Sequence, residues 1–253
     1  MLTKKMIEFK EKLQNKINIG IFSKTTDSSF IEAAGLSGLD FIILDCEHGI
    51  ASLETLQNHV RAAMLTDMAP VIRVKGNDAQ SIGAALDIGA FGIQVPNVSL
   101  PDQVRDVVRA AKFYPDGMRG ACRYVRAANY GCNIKSEYFK NANKASIIIQ
   151  VEGLEGIKNL DGIISVGGFD VLFIGPYDLA QSVGLPGQVN APEVLNLIQE
   201  ISSKALARGI KLGIFSDSIE KIGCYANSGF SYIAYSVDIS IFREACANIV
   251  TNK

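Results

Sequence analysis

Short apolar runs of four to six residues alternate along the chain with longer stretches in which apolar residues recur every three or four positions. The short runs fall at 17–22, 40–44, 70–74, 92–95, 146–151, 170–174, 211–215 and 232–236. Most are rich in Ile, Val, Leu and Phe, the pattern of strands covered on both faces. Between them, 28–36, 52–68, 79–88, 101–113, 154–165, 192–208, 218–228 and 239–250 read as helices. A further helix at 3–16, with Met6, Ile7, Phe9 and Leu13 as its apolar positions, precedes the first strand as a cap on the barrel. Ser52 and Glu54 give one helix a polar entry, and Asn77 or Asp78 caps another. Pro101 occupies a first turn, where it forfeits no hydrogen bond.

Eight strand–helix repeats in 253 residues are the count and size of an α/β protein of the (β/α)8 TIM-barrel type. A single domain over 1–253 is predicted, because no Pro-, Ser- or Gly-rich linker divides the repeats. A doubly wound open sheet is the alternative, but no G-x-G-x-x-G follows the first strand. The alternation breaks once, at 114–145. That segment carries Gly117, Arg119, Gly120, Arg123, Arg126, Tyr130 and Gly131, with a short helix at 136–141. An insertion this long is usually functional or an interface.

Composition narrows the function more by exclusion than by suggestion. With 48% hydrophobic and 20% charged residues the chain suits a covered sheet, and a net charge of −1 offers no attraction to nucleic acid or an anionic membrane. The five cysteines (Cys46, Cys122, Cys132, Cys224 and Cys246) are odd in number and form no C-x-x-C, so reduced cytosolic thiols are expected. A zinc site on Cys122 and Cys132 would lack a flanking Cys or His. The segment 1–16 is charged and has no long apolar centre, unlike a signal peptide. No apolar run approaches the ~20 residues of a membrane span, and a cytoplasmic location is expected.

In a (β/α)8 barrel the chemistry lies at the C-terminal ends of the strands. Those ends read Asp45-Cys46-Glu47-His48-Gly49, Arg73, Pro96-Asn97, Gln150-Val151-Glu152, Gly175-Pro176-Tyr177-Asp178, Ser216-Asp217 and Ser236-Val237-Asp238. Glu152 and Asp178 follow consecutive strands, whose tips stand roughly 5 Å apart. Two carboxylates that close repel unless a proton or cation lies between them. Oxygen-only ligation suits Mg2+ or Mn2+, with Co2+ also compatible; the alternative is that each carboxylate caps a helix. His48, beside Asp45 and Glu47, is placed to act as acid or base, or else is a hydrogen-bonded loop residue. His59 falls within a helix and reads as a surface or packing residue. Arg73 ends an apolar strand and needs an anion, either a neighbouring carboxylate or a substrate oxygen. The amides of Tyr177 and Asp178, after Gly175-Pro176, open a helix and suit a carboxylate or phosphate. An imine mechanism needs a desolvated lysine near a strand end, and only Lys24 and Lys75 qualify.

These residues, in this order, resemble the HpcH/HpaI aldolase family of class II pyruvate aldolases, of which 4-hydroxy-2-oxoheptanedioate aldolase is the type member. The resemblance runs from about Gly20 to Phe242. It rests on Asp45-x-Glu47-His48-Gly49, Arg73-Val74, Leu86-Asp87-x-Gly89-Ala90, Val95-Pro96, Met118-Arg119-Gly120, Gln150-Val151-Glu152 and Phe173-Ile174-Gly175-Pro176-Tyr177-Asp178-Leu179. It implies a metal-dependent aldehyde-lyase working on a small 2-keto acid and an aldehyde. By resemblance, Glu152 and Asp178 bind the metal, Arg73 contacts the keto oxygen, and His48 is the acid or base. Asp45 and Asp87 support that histidine or its surroundings, and Gln150 lies close to substrate, with Pro176, Tyr177 and Asp178 beside it. The resemblance also implies a homo-hexamer in which the last helix packs on a neighbouring barrel. Tyr177, where the type member has a small residue, and the basic 121–126 run depart from the pattern. The remaining functional readings are an acyl-CoA or citramalyl-type lyase drawing on Arg119–Arg126, an oxaloacetate-type decarboxylase, and a non-catalytic barrel.

Overall fold

The computed structural model describes residues 2–252; Met1 and Lys253, the ends of the predicted domain, lie outside them. Among the described residues, eight parallel strands follow one another around a closed barrel. They are β1 (Asn18–Ser23), β2 (Phe41–Asp45), β3 (Ala69–Arg73), β4 (Gly92–Val95), β5 (Ser146–Val151), β6 (Val171–Ile174), β7 (Lys211–Ser216) and β8 (Phe230–Val237), and β8 pairs back onto β1. The alternation in the sequence thus becomes a (β/α)8 barrel. Side chains fill its interior, where the Phe41 and Tyr232 rings stack at 3.9 Å.

The helices are α1 (Leu2–Asn15), α2 (Ser28–Leu36), α3 (Leu53–Ala63), α4 (Ala79–Asp87), α5 (Pro101–Ala111), α6 (Lys135–Ala142), α7 (Leu154–Lys158), α8 (Leu160–Val166), α9 (Pro176–Ser182), α10 (Pro192–Ala207), α11 (Glu220–Asn227) and α12 (Asp238–Thr251). The first of these closes the barrel floor. Its Met6, Phe9 and Leu13 are buried, while Lys5 reaches the Thr66 carbonyl and Lys10 pairs with Asp170, just before β3 and β6. Side-chain caps start the next three helices: Asp27, Ser52 and Asp78 accept the amides of Ser29, Thr55 and Ser81.

Differences from the sequence reading have local causes. The 52–68 helix stops at Ala63, because the Thr66 hydroxyl donates to the Ala63 carbonyl and accepts the Met68 amide, turning the chain into β3. The 154–165 helix is two pieces, broken at Asn159, whose side chain donates to the Ser99 carbonyl. His59 is a buried packing residue with two bonds. Its Nε2 donates to the Thr25 carbonyl, which leaves Nδ1 to accept from Ser28, pinning α3 to the start of α2. Phe113, just ahead of the 114–145 insertion, forms a small separate cluster with its Ala128, Tyr138 and Ala142, and Arg119 lies 4.7 Å over the Phe113 ring.

Candidate active site

Strand register sets the polar ends of β2, β3 and β4 side by side, with Asp45 beside Arg73 and Arg73 beside Gln94. The Arg73 guanidinium is buried. Its Nε and Nη2 donate to the two oxygens of Asp45 at 2.9 and 2.8 Å, and its Nη1 pairs with Glu47 at 2.9 Å. This fork satisfies the anion that a buried arginine requires, and it fixes the guanidinium plane. Burial opposes ionisation of Asp45, yet the Arg73 pairing holds its carboxyl below the usual carboxylate range. Asp45 Oδ1 also accepts the amides of Glu47 and His48. The turn is tight: a Cβ on Gly49 would stand 2.0 Å from the Asp45 carbonyl oxygen.

His48 lines the mouth with its ring open to solvent, and the nearest carboxylate, Glu47, is 3.9 Å from its Nε2. Asp45 therefore holds the backbone of His48 and leaves its ring without a hydrogen-bond partner among the described residues. Burial raises the Glu47 carboxyl in spite of Arg73.

On the opposite side, Glu152 is buried just past β5. Its Oε1 accepts the Asn97 amide at 2.8 Å and its Oε2 accepts from the Gln150 side chain. Gln150 is itself held by Gln94, at 2.7 Å. Burial, and then the neighbouring charges of Asp178 and Glu47, push the Glu152 carboxyl up to about 7. Gly175 allows this crowding, since a Cβ there would lie 2.5 Å from Glu152 Oε2. Asn97, in the left-handed region at φ +56°, ties the two halves together by donating its side chain to Glu47.

Between the halves lies a cleft of about 290 Å3, to which His48, Arg73, Gln150, Pro176, Tyr177 and Asp178 all contribute. The rings of Phe22, Phe173 and Phe215 pack edge-to-face and also line it. Of the two candidate lysines, Lys24 faces the cleft, 3.7 Å from Asp45, and Lys75 faces another groove. Among the described residues, no three Asp, Glu, His or Cys side chains converge as a ready-made metal cage.

Asp87 is not brought to this mouth. It is the last residue of α4, the end that leads into the start of β4, and it pairs with Arg119 at the opposite end of the barrel from His48. Within one chain it cannot support that histidine. The basic run is also spent elsewhere: Arg123 donates to the Gly131 carbonyl and Arg126 to that of Ile88. Sequence reasoning passed over Gln94, and gave Asn97 no role. An inward-facing glutamine within the four-residue buried strand β4 was the available signal for the first. The second is visible only in the backbone turn.

Residues 18–245 match the family model described as HpcH/HpaI aldolase/citrate lyase. A 5-keto-4-deoxy-D-glucarate aldolase from Shigella boydii serotype 18 is 32% identical over 240 residues, covering 94% of this chain and 93% of its own length. The crystal structure of a HpcH/HpaI aldolase/citrate lyase family protein from Burkholderia cenocepacia J2315 superposes with a TM-score of 0.92 at 28% identity, over 97% of this chain and 98% of that one. Citrate synthase SbnG superposes at 0.86 with 30% identity, over 96% of each chain.

Proposed function

The chain belongs to the HpcH/HpaI aldolase/citrate lyase family and is a metal-dependent aldolase; on that premise we propose that its mouth makes or breaks 4-hydroxy-2-keto acids through a pyruvate enolate. The observation that carries this reading is the pairing past β5 and β6. A buried carboxylate there is raised by its burial and then by a second carboxylate, and the Arg73 guanidinium of the same mouth is committed to Asp45 and Glu47.

That donor set fits a divalent cation. Two carboxylates supply hard oxygen ligands and the excess negative charge a cation relieves, and the open cleft leaves its other positions to water or a chelating substrate. Mg2+ and Mn2+ suit such oxygens, and Co2+ is compatible. When bound, the cation supplies Lewis-acid polarisation of the keto group.

The chain's own residues do the rest. Asp45 and Glu47 hold Arg73 so that its remaining N–H groups face the cleft and donate to the substrate keto oxygen. Gln150 packs beside the 2-keto acid, and Gly175, Pro176 and Asp178 bound it. In cleavage, His48 accepts the proton of the substrate hydroxyl. The carbon–carbon bond next to it breaks to give aldehyde and enolate, and protonation of the enolate carbon gives pyruvate. Synthesis runs the same steps backwards. Asp87 has no part in this within one chain, and with Arg119 and Arg126 engaged away from the mouth no observation favours an acyl-CoA pocket there.

A homo-oligomer, with the hexamer as its expected form, is supported by the apolar residues that α12 leaves exposed. A cytoplasmic location is supported by the five unpaired thiols among the described residues. The test is exchange of the pyruvate methyl protons for deuterium with Mn2+. EDTA abolishes it and added metal restores it. Persistence without metal, or borohydride trapping of pyruvate on Lys24, overturns the reading.

A further inference from the structure

The candidate metal carboxylates stand past β5 and β6, and the Arg73–His48 group past β2 and β3. The 2-keto acid is thereby placed between them. What remains of the lining belongs to β1, β7 and β8: Phe22, Lys24, Phe215 and Val237. The partner aldehyde has to lie on that side.

Tyr177 stands between the two regions. It belongs to the first turn of α9, after β6, yet its side chain crosses towards β7. Its ring meets Phe215 edge-on at 6.0 Å, and its hydroxyl donates to Asp217. The phenol O–H is the donor and a carboxylate oxygen of Asp217 the acceptor, so the ring is tied at its far end. A half-exposed tyrosine on a helix turn would otherwise sample several rotamers. Held at ring and hydroxyl, it is a fixed wall. The cleft it bounds, about 290 Å3, is at the small end of the ~300–1,000 Å3 of ligand pockets in general, and it must take both reactants.

We propose that the Tyr177–Asp217 pair is the specificity wall of the acceptor subsite and confines the aldehyde to short chains. The inference rests on the aldolase reading and adds the substrate class to it. Tyr177 acts by shape, against substrate carbon, and Asp217 is a positioning residue that acts through Tyr177.

The experiment is a panel of glycolaldehyde, propanal, butanal and hexanal with pyruvate and Mn2+, read as kcat/KM for each. In the wild type kcat/KM falls along the series. Tyr177→Ala raises the hexanal-to-propanal ratio about ten- to a hundredfold, the scale on which an apolar pocket discriminates by size. Asp217→Ala, which frees the hydroxyl, moves the ratio the same way by less, through KM for hexanal more than kcat. Tyr177→Phe combined with Asp217→Ala behaves as Asp217→Ala alone. A ratio unchanged in both Tyr177→Ala and Asp217→Ala overturns the wall, while wild-type turnover of the short aldehydes leaves the aldolase reading standing. A wild type that turns over no aldehyde and exchanges no pyruvate protons overturns both.

Discussion

A carboxyl group pushed up to about 7 by burial, and further by Asp178 and Glu47, makes the stability of the protein depend on pH in a defined direction. In the unfolded chain Glu152 ionises near its ordinary 4.5. Between that value and about 7 the folded state holds the extra proton, so this contribution to stability is full at the acid end and is lost as pH rises. A divalent cation held by the ionised form would reverse the slope. The melting temperature in EDTA is therefore expected to fall between about pH 4.5 and 7 and to level off above, with an Mn2+ increment that grows over the same interval. Glu152→Gln should flatten the first and abolish the second in differential scanning fluorimetry. An Mn2+ increment that survives in Glu152→Gln would remove this residue from the ligand set. At this scale the sequence was informative wherever a strand end carried a charge, as at Asp45, Arg73 and Glu152. It was silent on which groups bond to which. That Asp45 grips Arg73 and only the backbone of His48 depends on side-chain directions that no spacing encodes.

The turn from β6 into α9 is the element on which the site is built. Gly175 lets the chain pass close behind Glu152, and Pro176 starts the helix without leaving an amide unpaired. Gly175→Ala places a methyl group 2.5 Å from Glu152 Oε2. The barrel is expected to persist by circular dichroism, while Mn2+ affinity measured by calorimetry drops about ten- to a hundredfold, as for other groups that orient a ligand. Unchanged affinity would show that the carboxylate has room to move. Elements of this kind were legible as far as local rules decide them. The short apolar runs marked the strands to within a residue or two, and the 146–151 and 92–95 runs coincide with β5 and β4. The break at Asn159 was not legible, because the Ser99 carbonyl that attracts its side chain is distant in sequence.

For the molecule as a whole, the barrel followed from counting repeats, whereas the assignment of residues to its two ends did not. Asp87 sits in a motif as regular as that of His48, and only the direction of α4 sends it to the other face. The last helix raises the same matter at larger scale. Among its residues only Asp238 is buried, and Ile239, Phe242, Ile249 and Val250 are exposed, an apolar stripe more typical of a covered surface. Ile249→Glu with Val250→Glu is expected to shift the protein to a smaller species by light scattering, with the barrel intact. An unchanged mass would show that this stripe carries no contact between subunits.

Asp238 gives that helix a second significance. Its carboxylate accepts the Ser23 hydroxyl at 2.6 Å and the amides of Lys24 and Thr25, closing the seam between β8 and β1. The residue that begins α12 thus anchors the loop that carries Lys24 to the cleft. The exposed stripe and the Lys24 loop thus meet at one residue, because α12 starts on the carboxylate that fixes the backbone of 24–25.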